Sequence, residues 1–151
     1  MESLRILTKM MTNKYKILAN FIKDMSSETT DIQSYLFVKE NISKYQLNID
    51  ITSKALKNNM IEVSTILKFE DKELNEKKSH FEIVYISIIK VDEDIKEERK
   101  VLEKLILCDL QKEVYPKIER CFLDLLHNSG FPEVKLEKKI DFDKLYNQKF
   151  N

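Results

Sequence analysis

The stretch from Phe81 to Val91, FEIVYISIIKV, is apolar on both sides of a strand, and it constrains the fold more than any other feature of the chain. Phe81, Ile83, Tyr85, Ile89 and Val91 alternate onto one face, while Val84, Ile86 and Ile88 occupy the other. Such a strand belongs inside a sheet with both faces covered, because an exposed one invites aggregation. One helix covers only one face. The second must meet a partner subunit, another segment of the same chain, or a client.

Three more stretches carry a period of two. Tyr15 to Ile22 sets Tyr15, Ile17, Ala19 and Phe21 on one side. Tyr45 to Thr52 alternates Tyr45, Leu47, Ile49 and Ile51 with Gln46, Asn48, Asp50 and Thr52. Met60 to Phe69 sets Ile61, Val63, Thr65, Leu67 and Phe69 against Glu62, Ser64 and Lys68. This alternation predicts an antiparallel sheet with one face on a core and one near water. The chain has one glycine and two prolines, so turns must rely on Asn, Asp and Ser, as at Lys57-Asn58-Asn59 between the second and third strands.

From Asp92 the period becomes helical. Asp92, Glu93 and Asp94 suit a helix start, where the dipole favours carboxylates, and this reading outweighs an acid–base pair. Val101, Leu102, Leu105, Cys108, Val114, Tyr115, Ile118, Phe122 and Leu125 recur at steps of three and four. His127 and Asn128-Ser129-Gly130 suit the C-terminal cap. Such a helix is roughly 50 Å long, against a radius of gyration of about 15 Å for a domain of this size. It overhangs its sheet unless Pro116 breaks it, and Pro116 is expected to kink it. An overhanging apolar stripe implies oligomerisation, with Leu105, Cys108, Tyr115, Ile118, Cys121 and Phe122 as the expected interface. After Pro132 an extended piece, Val134 to Lys138, leads to a last helix near Asp141, a plausible N-cap, with Phe142, Leu145 and Tyr146 as its apolar face. The expected fold is α+β: a four-stranded antiparallel sheet, a long helix and a short C-terminal helix. Residues 1–14 read as an N-terminal tail, 15–147 as one domain and 148–151 as a C-terminal tail.

Lys plus Arg and Asp plus Glu both number 26, so the formal net charge is zero. That balance argues against nucleic acid, which needs a concentrated positive face. No apolar run approaches the roughly 18–20 residues that span a bilayer. The N-terminus, with Glu2, Arg5 and Lys9, does not read as a signal peptide, and Met10 and Met11 are alternative starts. The expected location is the cytoplasm, with Cys108 and Cys121 as reduced thiols filling small apolar gaps. His80 and His127 have no second ligand at metal spacing, so no metal site is expected. The sequence shows no P-loop, nucleophile elbow or dinucleotide fingerprint, so an enzyme is not expected and neither is a cofactor.

Two segments bracket the pattern: FIKDMSSE, Phe21 to Glu28, and Phe131-Pro132 followed by IDFDKLY, Ile140 to Tyr146. In this order and on a chain of this length they resemble the SecB family of protein-export chaperones. The family's Lys-Asp-hydrophobic-Ser-x-Glu signature is matched by Lys23, Asp24, Met25, Ser26 and Glu28. Asn58 to Val63 resembles its Glu-Val pair after an amide turn, and Tyr115-Pro116 with Arg120 resembles its aromatic-Pro-x-x-Arg segment. The chain departs from the family at Ile86 and Ser87, where a Gly pair is usual, and at Glu119, which stands in the usual arginine position.

The resemblance implies a homotetramer, a dimer of dimers, that holds unfolded preproteins without ATP and passes them to SecA for export. It places Phe21, Phe142, Leu145 and Tyr146 in a client groove. Read without it, Phe21 is better taken as a core aromatic, and ordinary helix docking explains the other three equally well. It places Asp24, Glu28 and Glu82 on the acidic surface that engages the zinc-bearing tail of SecA; read without it, they are a solvated face. Two other readings stay open: a SecB-like chaperone dedicated to one client, such as an antitoxin, and an oligomeric adaptor that holds no client.

Overall fold

The computed structural model describes residues 15–73, 79–136 and 139–150. The tail expected over 1–14 lies outside them, as do Glu137 and Lys138 of the extended piece and Asn151 of the C-terminal tail.

Four strands form one antiparallel sheet in the order β1-β4-β3-β2: β1 Tyr15–Thr29, β2 Gln46–Ala55, β3 Met60–Glu70 and β4 Ser79–Val91. The doubly apolar strand lies inside the sheet, between β1 and β3. Asn58 and Asn59 turn β2 into β3 with φ of 60° and 59°. Both are left-handed within a turn closed by the Met60 N–H on the Lys57 carbonyl at 3.3 Å, and asparagine supplies that conformation where most chains use glycine.

β1 departs from the expected flat alternation. Its register slips between Ile17 and Ala19 and again between Ile22 and Asp24, so Leu18 and Lys23 are bulged residues. Each bulge moves the residues after it to the other face. Tyr15 and Ile17 sit opposite Val91 and Ile89, on the helix side of the sheet. Ala19 and Phe21 sit opposite Ile88 and Ile86, on the other side. Tyr15, Ile17, Ala19 and Phe21 therefore do not share a face, because a bulge interrupts their alternation.

Helix α1, Ile32–Glu40, crosses from β1 toward β2, followed by a 3-10 turn at Ile42–Lys44. No helical period marks this segment because both of its sides are apolar: Val38 is buried, while Ile32 and Leu36 are exposed. Asp31 caps it, its carboxylate accepting from the Ser34 N–H at 2.7 Å.

The expected single helix from Asp92 is divided. A short helix α2, Glu93–Glu97, ends at Glu98, where the backbone turns extended (φ −97°, ψ 95°). Only Ile95 is apolar between Asp92 and Lys100, and its half-buried side chain is the single apolar contact of this run with the core. The long rod comprises α3, Arg99–Lys104, a π turn, Leu105–Asp109, and α4, Leu110–Asn128. At 1.5 Å per residue it spans about 45 Å. It continues through Pro116 and departs from α geometry at the π turn instead. Pro116 and Lys112 are both exposed, so water can bond the Lys112 carbonyl that Pro116 leaves unpaired. The rod ends in a full Schellman cap: Phe131 N–H bonds the Leu126 carbonyl, Gly130 N–H bonds that of His127, and Gly130 has φ 101°.

α4 packs on the sheet face carrying Leu67, Phe81, Ile83, Tyr85 and Ile89, all buried. Gln111 is fully buried there, donating to Thr65 Oγ1 on β3 at 3.0 Å and reaching the Ile106 carbonyl of the π turn at 3.4 Å. The last helix, α5, covers Phe142–Phe150, so residues 148–150, expected as tail, are helical. No helix among the described residues is long and apolar enough to cross a membrane.

Candidate binding surfaces

The bulge at Lys23 decides which way the acidic signature points. Without it, Asp24 would follow Ile22 onto the helix side. With it, Asp24 pairs with Val84, Ser26 with Glu82 and Glu28 with His80. Residues directly opposed in a sheet share a face. Asp24, Glu28 and Glu82 therefore stand together on the face away from α4, with His80 beside them and Lys68 of β3 opposite Glu82. Asp24 and Glu28 are exposed and Glu82 half-buried, and none of the three carboxylates bonds to another described residue. Phe21 shares this face, 47% exposed, opposite Ile86, which is fully buried.

The remaining groove residues lie elsewhere. Leu145 and Tyr146 are half-buried and, with Ile49, Ile51 and Leu107, line a small cavity of about 250 Å³ against β2. Phe142 is buried, its ring 5.2 Å from that of Tyr115. β1 and β2 are opposite edges of the sheet, so Phe21 and α5 do not line one groove within a single chain.

Two larger grooves flank the segment leading into α5. One, of about 570 Å³, runs along α4 beside Tyr115, Glu119, Leu123 and Phe142. The other, of about 640 Å³, is lined by Tyr45, Leu47, Phe69 and Leu136. Lys139 and Ile140 border both. Sequence alone assigns Tyr45, Leu47 and Phe69 to a strand face and misses this groove, which depends on where the chain after Pro132 lies across them. Tyr115 has its hydroxyl buried and without a well-formed hydrogen bond to a described residue. Burial, and secondarily the Glu119 carboxylate, push its pKa up.

Five of the six residues expected at an oligomer interface, Leu105, Cys108, Tyr115, Ile118 and Phe122, are buried within the single chain. The helical stripe is consumed by the chain's own sheet and α5. Cys108 Sγ lies 3.4 Å from the Phe142 carbonyl, and burial raises its pKa. Cys121 is half-buried. The exposed apolar surface is instead concentrated on β1, at Leu18, Phe21, Ile22 and Met25, with Ile32 and Leu36 on α1. α4 lies alongside this edge strand, tied to it by a hydrogen bond from Tyr15 to Glu113 and by one of 2.7 Å between Ser129 and Ser27. Among the described residues no cluster of three His, Cys, Asp or Glu could hold a metal.

The chain is similar along most of its length to known protein-export proteins. The chain is 59% identical over 141 residues to a putative protein-export protein SecB of Pelagibacter ubique, covering 93% of this chain and all of that one. It is 22% identical over 135 residues to the protein-export protein SecB of Bartonella quintana, covering 89% of this chain and 83% of that one. Its fold matches the SecB-like chaperone of Mycobacterium tuberculosis, solved in complex with a peptide from an antitoxin. That match has a TM-score of 0.62 at 12% identity and covers 92% of this chain and 97% of the other. The family model for the preprotein translocase subunit SecB matches residues 8–151. The chain belongs to the SecB family.

Proposed function

We propose that the protein is a cytoplasmic export chaperone that holds preproteins unfolded without ATP and delivers them to SecA. The observation that carries this reading is the 59% identity to a putative protein-export SecB along that protein's whole length. Holding is a matter of mass action: a surface that binds unfolded chain and not folded chain shifts the folding equilibrium toward the unfolded side. The two grooves that meet at Lys139 and Ile140 are lined by aromatic and aliphatic side chains and suit apolar segments of many sequences. The M. tuberculosis chaperone of the same fold is solved with a peptide, which supports peptide as the class of occupant.

Asp24, Glu28 and Glu82 are the proposed contact with SecA's zinc-bearing tail, since they share one face and their carboxylates have no partner among the described residues. The working form is a homotetramer, a dimer of dimers. Support comes from β1, an edge strand of 15 residues with four exposed large apolar side chains, a surface that natural proteins cover. The test is calorimetric titration with SecA. Asp24→Lys combined with Glu28→Lys should weaken binding at least tenfold while leaving the assembly unchanged by light scattering. Unchanged affinity removes the delivery step and leaves a chaperone of some other client, an antitoxin among the possibilities.

A further inference from the structure

The chain's single glycine sits where α1 meets the end of the long rod. Tyr35 of α1 donates to the Gly130 carbonyl at 2.7 Å, and its ring lies 5.3 Å from that of Phe131. A Cβ on Gly130 would stand 2.6 Å from Tyr35 Cε2. Within α1, this is the hydrogen bond that leaves the helix for the rest of the described fold. Val38 and Ser34 are buried beneath α1, while Ile32 (72% exposed) and Leu36 (53% exposed) do nothing to hold it down.

The two ends of the crossing are pinned independently of that contact, and both to one residue. Thr29 Oγ1 lies 2.7 Å from Ser79 Oγ, and the Tyr45 hydroxyl donates to the Ser79 carbonyl at 3.1 Å. Ser79 N–H in turn donates to the Tyr45 hydroxyl at 3.2 Å. Residues 30–44 thus leave the sheet at the β1 edge and return at the β2 edge, with the residues flanking them both bonded to Ser79 of β4, and are fastened between at Tyr35.

We infer that residues 30–44 form a cap that opens as a unit about Ser79 while the sheet and α4 stay folded, with Tyr35 on Gly130 as its latch. Opening uncovers Phe131 and, behind it at 5.5 Å, Phe81. Phe81 belongs to the aromatic cluster with Tyr45 and Phe69, two residues that line the 640 Å³ groove. The latch would therefore set how much aromatic surface an unfolded chain meets. That last consequence rests on the holding function proposed above.

Hydrogen exchange on the intact protein, read by mass spectrometry, tests the latch without a client. In the native chain the amides of 32–40 should exchange at least tenfold faster than those of 81–91. Gly130→Ala should raise exchange over 32–40 by a further tenfold or more, and the gentler Tyr35→Phe by several-fold, with 81–91 unchanged. Exchange over 32–40 as slow as over 81–91, or a uniform rise along the chain in both variants, overturns the cap. In a second arm, reduced carboxymethylated lactalbumin serves as a permanently unfolded probe, and Tyr35→Phe should bind it several-fold more tightly. Binding by the native chain with no gain in the variant overturns the gating role. If neither form binds, the holding function fails while the exchange result still decides the cap.

Discussion

At the scale of single residues, the contact between Gln111 and Thr65 sets the position of the long rod over the sheet. A fully buried amide on α4 and a nearly buried hydroxyl on β3 satisfy each other, and the amide also reaches the π turn. Gln111→Leu leaves the Thr65 hydroxyl without that partner, and urea unfolding at fixed protein concentration should show a loss of about 1–3 kcal/mol. Adding Thr65→Val should recover part of that loss, because two apolar groups cost less than one orphaned hydroxyl. Additive losses would show that the pair does not act as one. Titration gives a second handle. Burial, with Glu113 for Tyr15, Glu119 for Tyr115 and Asp71 for Tyr45, raises all three phenols above their ordinary 10.0, although the Ser79 contact partly offsets the rise at Tyr45. Burial raises Cys108 above 9.0. The folded chain then holds protons that the unfolded chain releases, so this stability is complete below the unfolded values and lost as pH rises through the folded ones. The melting temperature should fall between about pH 9 and about pH 11, less steeply in Tyr115→Phe. An identical slope in that variant would show that Tyr115 carries none of this dependence. None of it is legible in the sequence: Thr65 and Tyr115 read as members of apolar faces, and which polar atoms meet depends on how the rod lies.

At the scale of elements, the two bulges of β1 matter most. The alternation correctly predicts all four strands, and the Gly130 cap and the last helix also stand where the sequence places them. The bulges at Leu18 and Lys23 carry no signal, since neither is a glycine and the residues around both are a mixture of apolar and polar. Yet the Lys23 bulge turns Asp24 and Glu28 to the open face. Deleting Lys23 should return the strand to plain alternation, turning Asp24 and Glu28 toward the helix side and Met25 away from it. SecA affinity should then fall as far as in the double charge reversal, although both acids remain in the chain. Retained affinity would show that the bulge does not orient the acids. α1 is illegible for a different reason: a helix apolar on two sides has no period to read.

At the scale of the whole molecule, β4 sets the question of what covers a sheet on both sides. α4 and α5 cover the β4 and β3 part of one face, which takes up the apolar stripe of the rod but leaves Ile22 and Met25 of β1 exposed on that same side. The β1 edge is exposed in the single chain, and the proposed contact between copies is placed at Leu18, Ile22 and Met25, with Cys121 at the flank of α4. Light scattering should give a mass near four times 18.0 kDa. Ile22→Asp should reduce it, because a charge at the centre of a packed edge is costly to bury. A native mass of 18.0 kDa would leave the β1 edge without its proposed cover.

Whether the protein holds unfolded chain is decided by the aggregation of a denatured preprotein, diluted from urea into buffer without nucleotide and followed by light scattering. With one chaperone tetramer per preprotein, scattering should stay near baseline, and it should return when an excess of a second unfolded chain competes. Aggregation at the rate seen in buffer alone, at any ratio of the two proteins, would show that the protein is not a holding chaperone.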